Sequence, residues 1–139
     1  MKIIEAKSDA EILMCWEVLN ELRPHLEKEK FLSLIKEMMF EGYQLAFIVE
    51  KGEAVSAIGF RYLQFLYNGK HFYIDDLVTL EKYRQNGYAA LLLNYVFELA
   101  RKNGYEKVTL DSGHHRNAAH RLYLNKGFTI SSHHFMKQL

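Results

Sequence analysis

Three apolar runs separated by two short turns set the strongest limit on how this chain can fold. "YQLAFIVE" (43–50) is joined by "KGE" to "AVSAIGFRYLQFL" (54–66), and "YNGK" then leads into "HFYIDDLVTL" (71–80). Runs rich in β-branched and aromatic residues, broken by glycine-bearing turns, read as hairpins. The expectation is an antiparallel meander of three strands.

Helices are expected on both sides of the meander. "KIIEAK" reads as a short strand, and "SDAE" supplies a capping box, Ser8 with Glu11 three residues on, opening an amphipathic helix to about Leu22. Pro24 breaks that helix, and a second fits Glu27 to Glu41, with Phe31, Leu34, Ile35, Met38 and Met39 on one stripe and Gly42 placed to end it. After the meander a strong helix is predicted from Tyr88 to Asn103, followed by Gly104 and a short buried strand in "KVTLDS". A last helix, about Asn117 to Lys126, ends at Gly127, and "FTISSHHFMKQL" is expected to return as one or two strands. The order is β-α-α-β-β-β-α-β-α-β, an α/β (α+β) fold with a mostly antiparallel sheet. No repeat or linker interrupts it, so residues 1–139 are read as a single domain.

Composition narrows the partners. Lys plus Arg number 18 against 17 Asp plus Glu, so no broad field argues for nucleic acid or an anionic membrane. The N-terminal stretch lacks an apolar signal region, and no window holds the eighteen or so apolar residues of a membrane span. Cys15 is the single cysteine and lies on an apolar helical stripe with Ile12, Leu13, Trp16 and Leu19, which makes it a packing residue. With no internal disulfide to form, the chain fits a reducing cytoplasm. A small-molecule partner is the expectation.

Chemistry concentrates at the end of the meander. "RQNGYAALL", Arg84 to Leu92, follows a strand and opens a helix, so backbone N–H groups there favour an anion such as phosphate. It is neither a Walker loop nor a dinucleotide fingerprint, and taken alone its one glycine reads as a plain strand-to-helix turn. Asp75 and Asp76, on the strand that leads to it, are the obvious acids. Strict alternation puts Tyr73, Asp75, Leu77 and Thr79 on one face of the strand and Ile74, Asp76 and Val78 on the other, unless a bulge intervenes.

Together these segments carry a resemblance. "YRQNGYAALL" resembles the R/Q-x-x-G-x-G/A motif of the GNAT superfamily of acyl-CoA-dependent N-acetyltransferases, "DDLVTLEKYR" its fourth strand and following turn, and "AAHRLYLNKGF" its recurrent A-x-x-x-Y-x-x-x-GF ending. The resemblance spans about Ala6 to the C-terminus and implies the acetyltransferase fold. It implies a pantetheine arm of acetyl-CoA lying along Leu77, Val78 and Thr79, and a pyrophosphate on the amides of Arg84, Gln85, Asn86, Gly87, Tyr88, Ala89 and Ala90. Tyr123 matches the family tyrosine assigned as general acid toward the coenzyme A thiolate. Without the resemblance Tyr123 reads first as a core tyrosine on the helix stripe with Ala119 and Leu122.

The amine must lose a proton to attack a thioester, and Asp75 is the provisional base, with Asp76 and Tyr73 as acceptor-side residues. Either aspartate could instead be a structural ion-pair partner. Two positions depart from the family pattern. Ala89 replaces the commoner glycine, and Arg116 stands where the family usually has a pantetheine-binding asparagine, Asn117 being read as the helix N-cap. Arg116 with the tail "SSHHFMK" resembles the aminoalkylphosphonate acetyltransferase branch, which would place Arg116 and His134 near the acceptor. "RPH", Arg23 to His25, could close the pocket from the opposite side.

His114, His115, His120, His133 and His134 form no recognised metal-ligand spacing and are read as surface or substrate-side residues, so no metal is expected. The function implied is acetyl transfer from acetyl-CoA to a primary amine of a small molecule by direct attack, since no cysteine is placed to carry an acyl group. Family members are often dimers, so the resemblance admits a homodimer without fixing the oligomeric state. The rivals are a non-catalytic acyl-CoA sensor on the same fold and a histidine-based metal or interaction module.

Overall fold

A computed structural model describes residues 2–139. Contacts divide the chain into two compact units, one running to Thr109 and the other Leu110–Leu139.

The first unit is built on the expected meander. Strands β1 (Ile3–Glu5), β2 (Tyr43–Glu50), β3 (Glu53–Phe65) and β4 (Gly69–Thr79) pair antiparallel in sequence order, with β5 (Lys107–Leu110) beside β4. β5 is reached through helix α4 (Tyr88–Lys102). Tyr43, Leu45, Phe47, Ala57 and Val78 turn one face of the sheet toward Ile12, Cys15, Val18, Leu19, Phe31 and Ile35 of the N-terminal helices. The opposite face carries Phe60, whose ring meets Tyr95 of α4 edge-on at 6.5 Å.

The helix expected from Ser8 to Leu22 is two helices, α1 (Asp9–Met14) and α2 (Trp16–Leu22). Cys15 sits between them at φ −84°, ψ 0°, and its N–H reaches back only three residues, to Ile12 at 3.0 Å. That tightened turn lets the fully buried Cys15 stay in the core while the helical ladder restarts. Burial pushes its thiol up to about 12, as suits a packing residue. The capping box forms: the Glu11 N–H donates to the Ser8 hydroxyl at 3.2 Å, and the Ser8 N–H donates to the Glu11 carboxylate at 2.9 Å. Helix α3 (Lys28–Phe40) follows, and Gly42, at φ +106°, turns the chain into β2.

In the second unit, α5 (Asn117–Asn125) begins one residue earlier than its capping signal suggested. Arg116 occupies the N-cap, because its carbonyl accepts the first helical bond, from His120 at 3.1 Å, and Asn117 is already helical. The strands expected in "FTISSHHFMKQL" are absent among the described residues. Ile130, Phe135 and Met136 are 84%, 91% and 82% exposed, and no alternate burial gives this segment an inner face to hold a register. β5 forms as expected but is half-buried rather than buried.

Candidate active site

The central feature is a β-bulge in β4. Gly59 pairs with Asp76 and the next residue, Phe60, with Ile74, so Asp75 is an extra residue without a partner on β3. The bulge overturns the strict alternation read from the sequence. Tyr73 pairs with Arg61, which pairs with Tyr43, while beyond the bulge Val78 pairs with Ala57 and so with Phe47, on the same face. Tyr73, Asp75, Asp76 and Val78 therefore share one face, and Leu77 and Thr79 move to the other.

Both carboxylates are held by side chains from distant parts of the sequence. The Asp76 oxygens accept from Arg23 Nε at 3.0 Å and from the Tyr43 hydroxyl at 2.8 Å. Asp75 faces Arg61, whose Nε lies 3.1 and 3.0 Å from its two oxygens and whose second guanidinium nitrogen is 2.8 Å from Oδ2. Arg23 also donates to the main-chain carbonyl of Asp75 at 3.1 Å, pinning the bulge. The residue that the sequence placed at a pocket wall thus reaches the acid pair itself.

Burial raises the Asp75 carboxyl above the usual carboxylate range, and the bonded Arg61 opposes that rise. Burial, with Asp76 beside it, also pushes the Tyr43 phenol well up, so Tyr43 stays a donor. Sequence reasoning missed Tyr43 and Arg61, which lie on neighbouring strands. One signal was present: an isolated glycine in a strand marks a bulge or a close approach, and Gly59 marks both. A Cβ there would lie 1.9 Å from the Tyr43 hydroxyl oxygen.

Immediately after β4 a short 3₁₀ turn, Glu81–Tyr83, leads into the exposed loop Arg84–Gly87. Gln85 and Gly87 both have positive φ, +67° and +79°, and the Asn86 amide ties the loop down by donating to the Tyr83 carbonyl at 2.9 Å. Gly87 is the N-cap of α4 and no side chain caps that helix, so the amides of its first turn remain open to an anion. Arg84 donates to the Thr79 carbonyl at 3.3 Å and to Glu21 of α2 at 3.2 Å. The Tyr88 side chain is buried and bonded to Glu50, leaving its backbone for the loop. Leu77, Val78 and Thr79 pair with Ile58, Ala57 and Ser56, and Ser56 also donates to the Val78 carbonyl at 3.1 Å.

The second unit carries Arg116, Tyr123 and His134. Tyr123 is half-buried on α5, edge-on to Phe128 at 5.7 Å, and burial raises its phenol despite an opposing effect of Arg116. His134 Nδ1 lies 3.7 Å from Asp111, both largely exposed. His120 contacts the Gly113 carbonyl at 2.9 Å. Among the described residues no three His, Cys, Asp or Glu side chains gather as a group able to hold a metal, and no helix is long and apolar enough to cross a membrane.

Comparison with known proteins decides the lineage. The model of the acetyltransferase (GNAT) family matches residues 12–128. The chain belongs to that family. It is 36% identical over 122 residues to an uncharacterized N-acetyltransferase of Bacillus subtilis (strain 168), YhdJ, covering 86% of each chain. A putative acetyltransferase from Agrobacterium tumefaciens superposes with a TM-score of 0.85 at 22% identity over 100% of each chain. The aminoglycoside N-acetyltransferase AAC(6')-Iy, solved with CoA, gives 0.83 at 13% identity over 99% of this chain and 95% of its own. The fold of this GNAT acetyltransferase is therefore that of the family, a five-stranded, mostly antiparallel sheet flanked by helices.

Proposed function

We propose that this acetyltransferase moves an acetyl group from acetyl-CoA to a primary amine of a small molecule by direct attack of the amine on the thioester. The observation that carries the reading is the adjacency, along one strand–loop–helix run, of a bulged acid pair and an uncapped helix N-terminus. The second suits a pyrophosphate, and the first an ammonium group.

In this reading the amides of Arg84 to Ala90 hold the pyrophosphate, and the backbone of Leu77 to Thr79 holds the pantetheine amides. The CoA in the AAC(6')-Iy structure supports an acyl-CoA ligand on this fold. Asp75 receives the proton released by the acceptor amine. Both oxygens of Asp76 are taken by Arg23 and Tyr43, whereas those of Asp75 accept from the one guanidinium of Arg61, which favours Asp75 for this task. As the carbon–nitrogen bond forms and the carbon–sulfur bond breaks, Tyr123 donates its proton to the leaving thiolate. A phenol raised by burial is protonated at neutral pH and so available as an acid. Arg116 and His134 are proposed to lie along CoA and the acceptor. The family match runs across Thr109, which supports one functional domain over the whole chain.

The test is acetyl-CoA turnover with a panel of amines, read as thiol release. Amine-dependent release is expected. Tight CoA binding with no release for any amine would replace the enzyme by a sensor.

A further inference from the structure

Asp75 is held at both its side chain and its main chain. Its carboxylate is gripped by Arg61 from β3, and its main-chain carbonyl by Arg23 from the end of α2. Two guanidinium groups from different elements thus fix the side chain and the backbone of one bulged residue. The Arg61 and Asp75 side chains remain 24% and 18% exposed. An ion pair so placed gives back in desolvation much of what it gains in attraction, so stability alone is a weak reason for it.

The geometry is that of a planar fork on a carboxylate, which fixes orientation as well as charge. A carboxylate has about four lone-pair sites, so the Arg61 fork does not exhaust its capacity to accept from an amine. The charged and titratable groups around Asp75 are Arg61 on β3, Arg23 beyond α2 and Asp76 on β4, with Tyr43 on β2 bonded to Asp76. Glu41, before β2, acts on Arg61 at longer range.

We propose that Arg61 is a positioning residue for acetyl transfer: it holds Asp75 as an oriented anion on the Tyr43 face of the bulge, ready to take the acceptor's proton. This rests on the acetyl-transfer reading. Arg61 opposes the effect of burial on Asp75, so its removal moves the carboxyl further up. Activity that requires the carboxylate is lost as pH falls through that value, and the acid limb of the rate profile then shifts to higher pH.

The test compares wild type, Arg61→Gln and Arg61→Lys, first confirmed to be folded by thermal melts. Arg61→Gln is expected to lower kcat by roughly 10–100-fold with CoA affinity unchanged and to move the acid limb upward. Arg61→Lys, which keeps the charge and loses the fork, restores the limb more than the rate. Carbon-13 NMR titration of the Asp75 carboxyl supplies a readout apart from turnover. If it titrates at the same pH in wild type and Arg61→Gln, or if kcat and the profile are unchanged, the proposal is overturned. If the carboxyl moves while no amine supports turnover even in wild type, the hold on Asp75 stands and the acetyl-transfer reading fails instead.

Discussion

Tyr43 is buried, yet its hydroxyl finds Asp76 only because residue 59 has no Cβ. Gly59→Ala would drive the phenol off, leave one Asp76 oxygen without its donor and overpack a closed part of the core. We expect a loss of about 1–3 kcal/mol in urea unfolding, together with reduced turnover. A variant as stable as wild type would mean that Tyr43 repacks without strain. Tyr123 tests a different step. Tyr123→Phe keeps the ring against Phe128 and removes only the hydroxyl that donates the proton, so kcat should fall about 100-fold or more while CoA affinity, measured by calorimetry, holds. Unaltered turnover would remove Tyr123 from the acid role.

At the scale of elements, the start of α1 shows how a local sequence signal becomes a pH-dependent structure. Glu11 is held below the usual carboxyl range first by the Ser8 N–H, then by the Lys7 N–H and the Ser8 hydroxyl. A carboxyl lowered on folding stabilises the helix start above its unfolded value, about 4.3, and that support is lost as pH falls through the lower folded value. Protection of the Lys7 and Ser8 amides from exchange, taken relative to the intrinsic rate at each pH, should fall as pH drops below about 4, and Ser8→Ala should cost about 1 kcal/mol at neutral pH. Protection that does not change with pH would show the box open in solution. This element was legible because its partners lie within four residues, and the meander was legible for the same reason, its turns being local. The split at Cys15 was not, since an apolar stripe reads alike through an unbroken helix and through one tightened turn. Nor was the bulge, because period-two alternation assigns faces without counting an extra residue, and the partners of Asp75 and Asp76 come from Arg23, Tyr43 and Arg61, far apart in sequence. The terminal strands were misread because β-branched and aromatic residues indicate strand only when a partner strand gives them a face to bury.

Across the whole molecule, the family match covers residues 12–128 and so takes in parts of both compact units. A segment as short as Leu110–Leu139 falls below the roughly 40 residues that usually sustain an independent core. It is therefore not expected to give a melting transition of its own. A ligand that binds only the folded chain at about 100 times its Kd adds about 2.7 kcal/mol, which for a chain of this size raises Tm by roughly 10 °C. CoA should therefore shift one calorimetric transition, with equal van't Hoff and calorimetric enthalpies. Because the loop Arg84–Gly87, the proposed pyrophosphate seat, is exposed, with Arg84 already sharing its charge with Glu21, the shift should shrink as salt is raised from about 0.05 to 0.5 M. Two transitions, of which CoA moves only one, would show that the units are separate and that Tyr123 and the acid pair belong to different folding blocks.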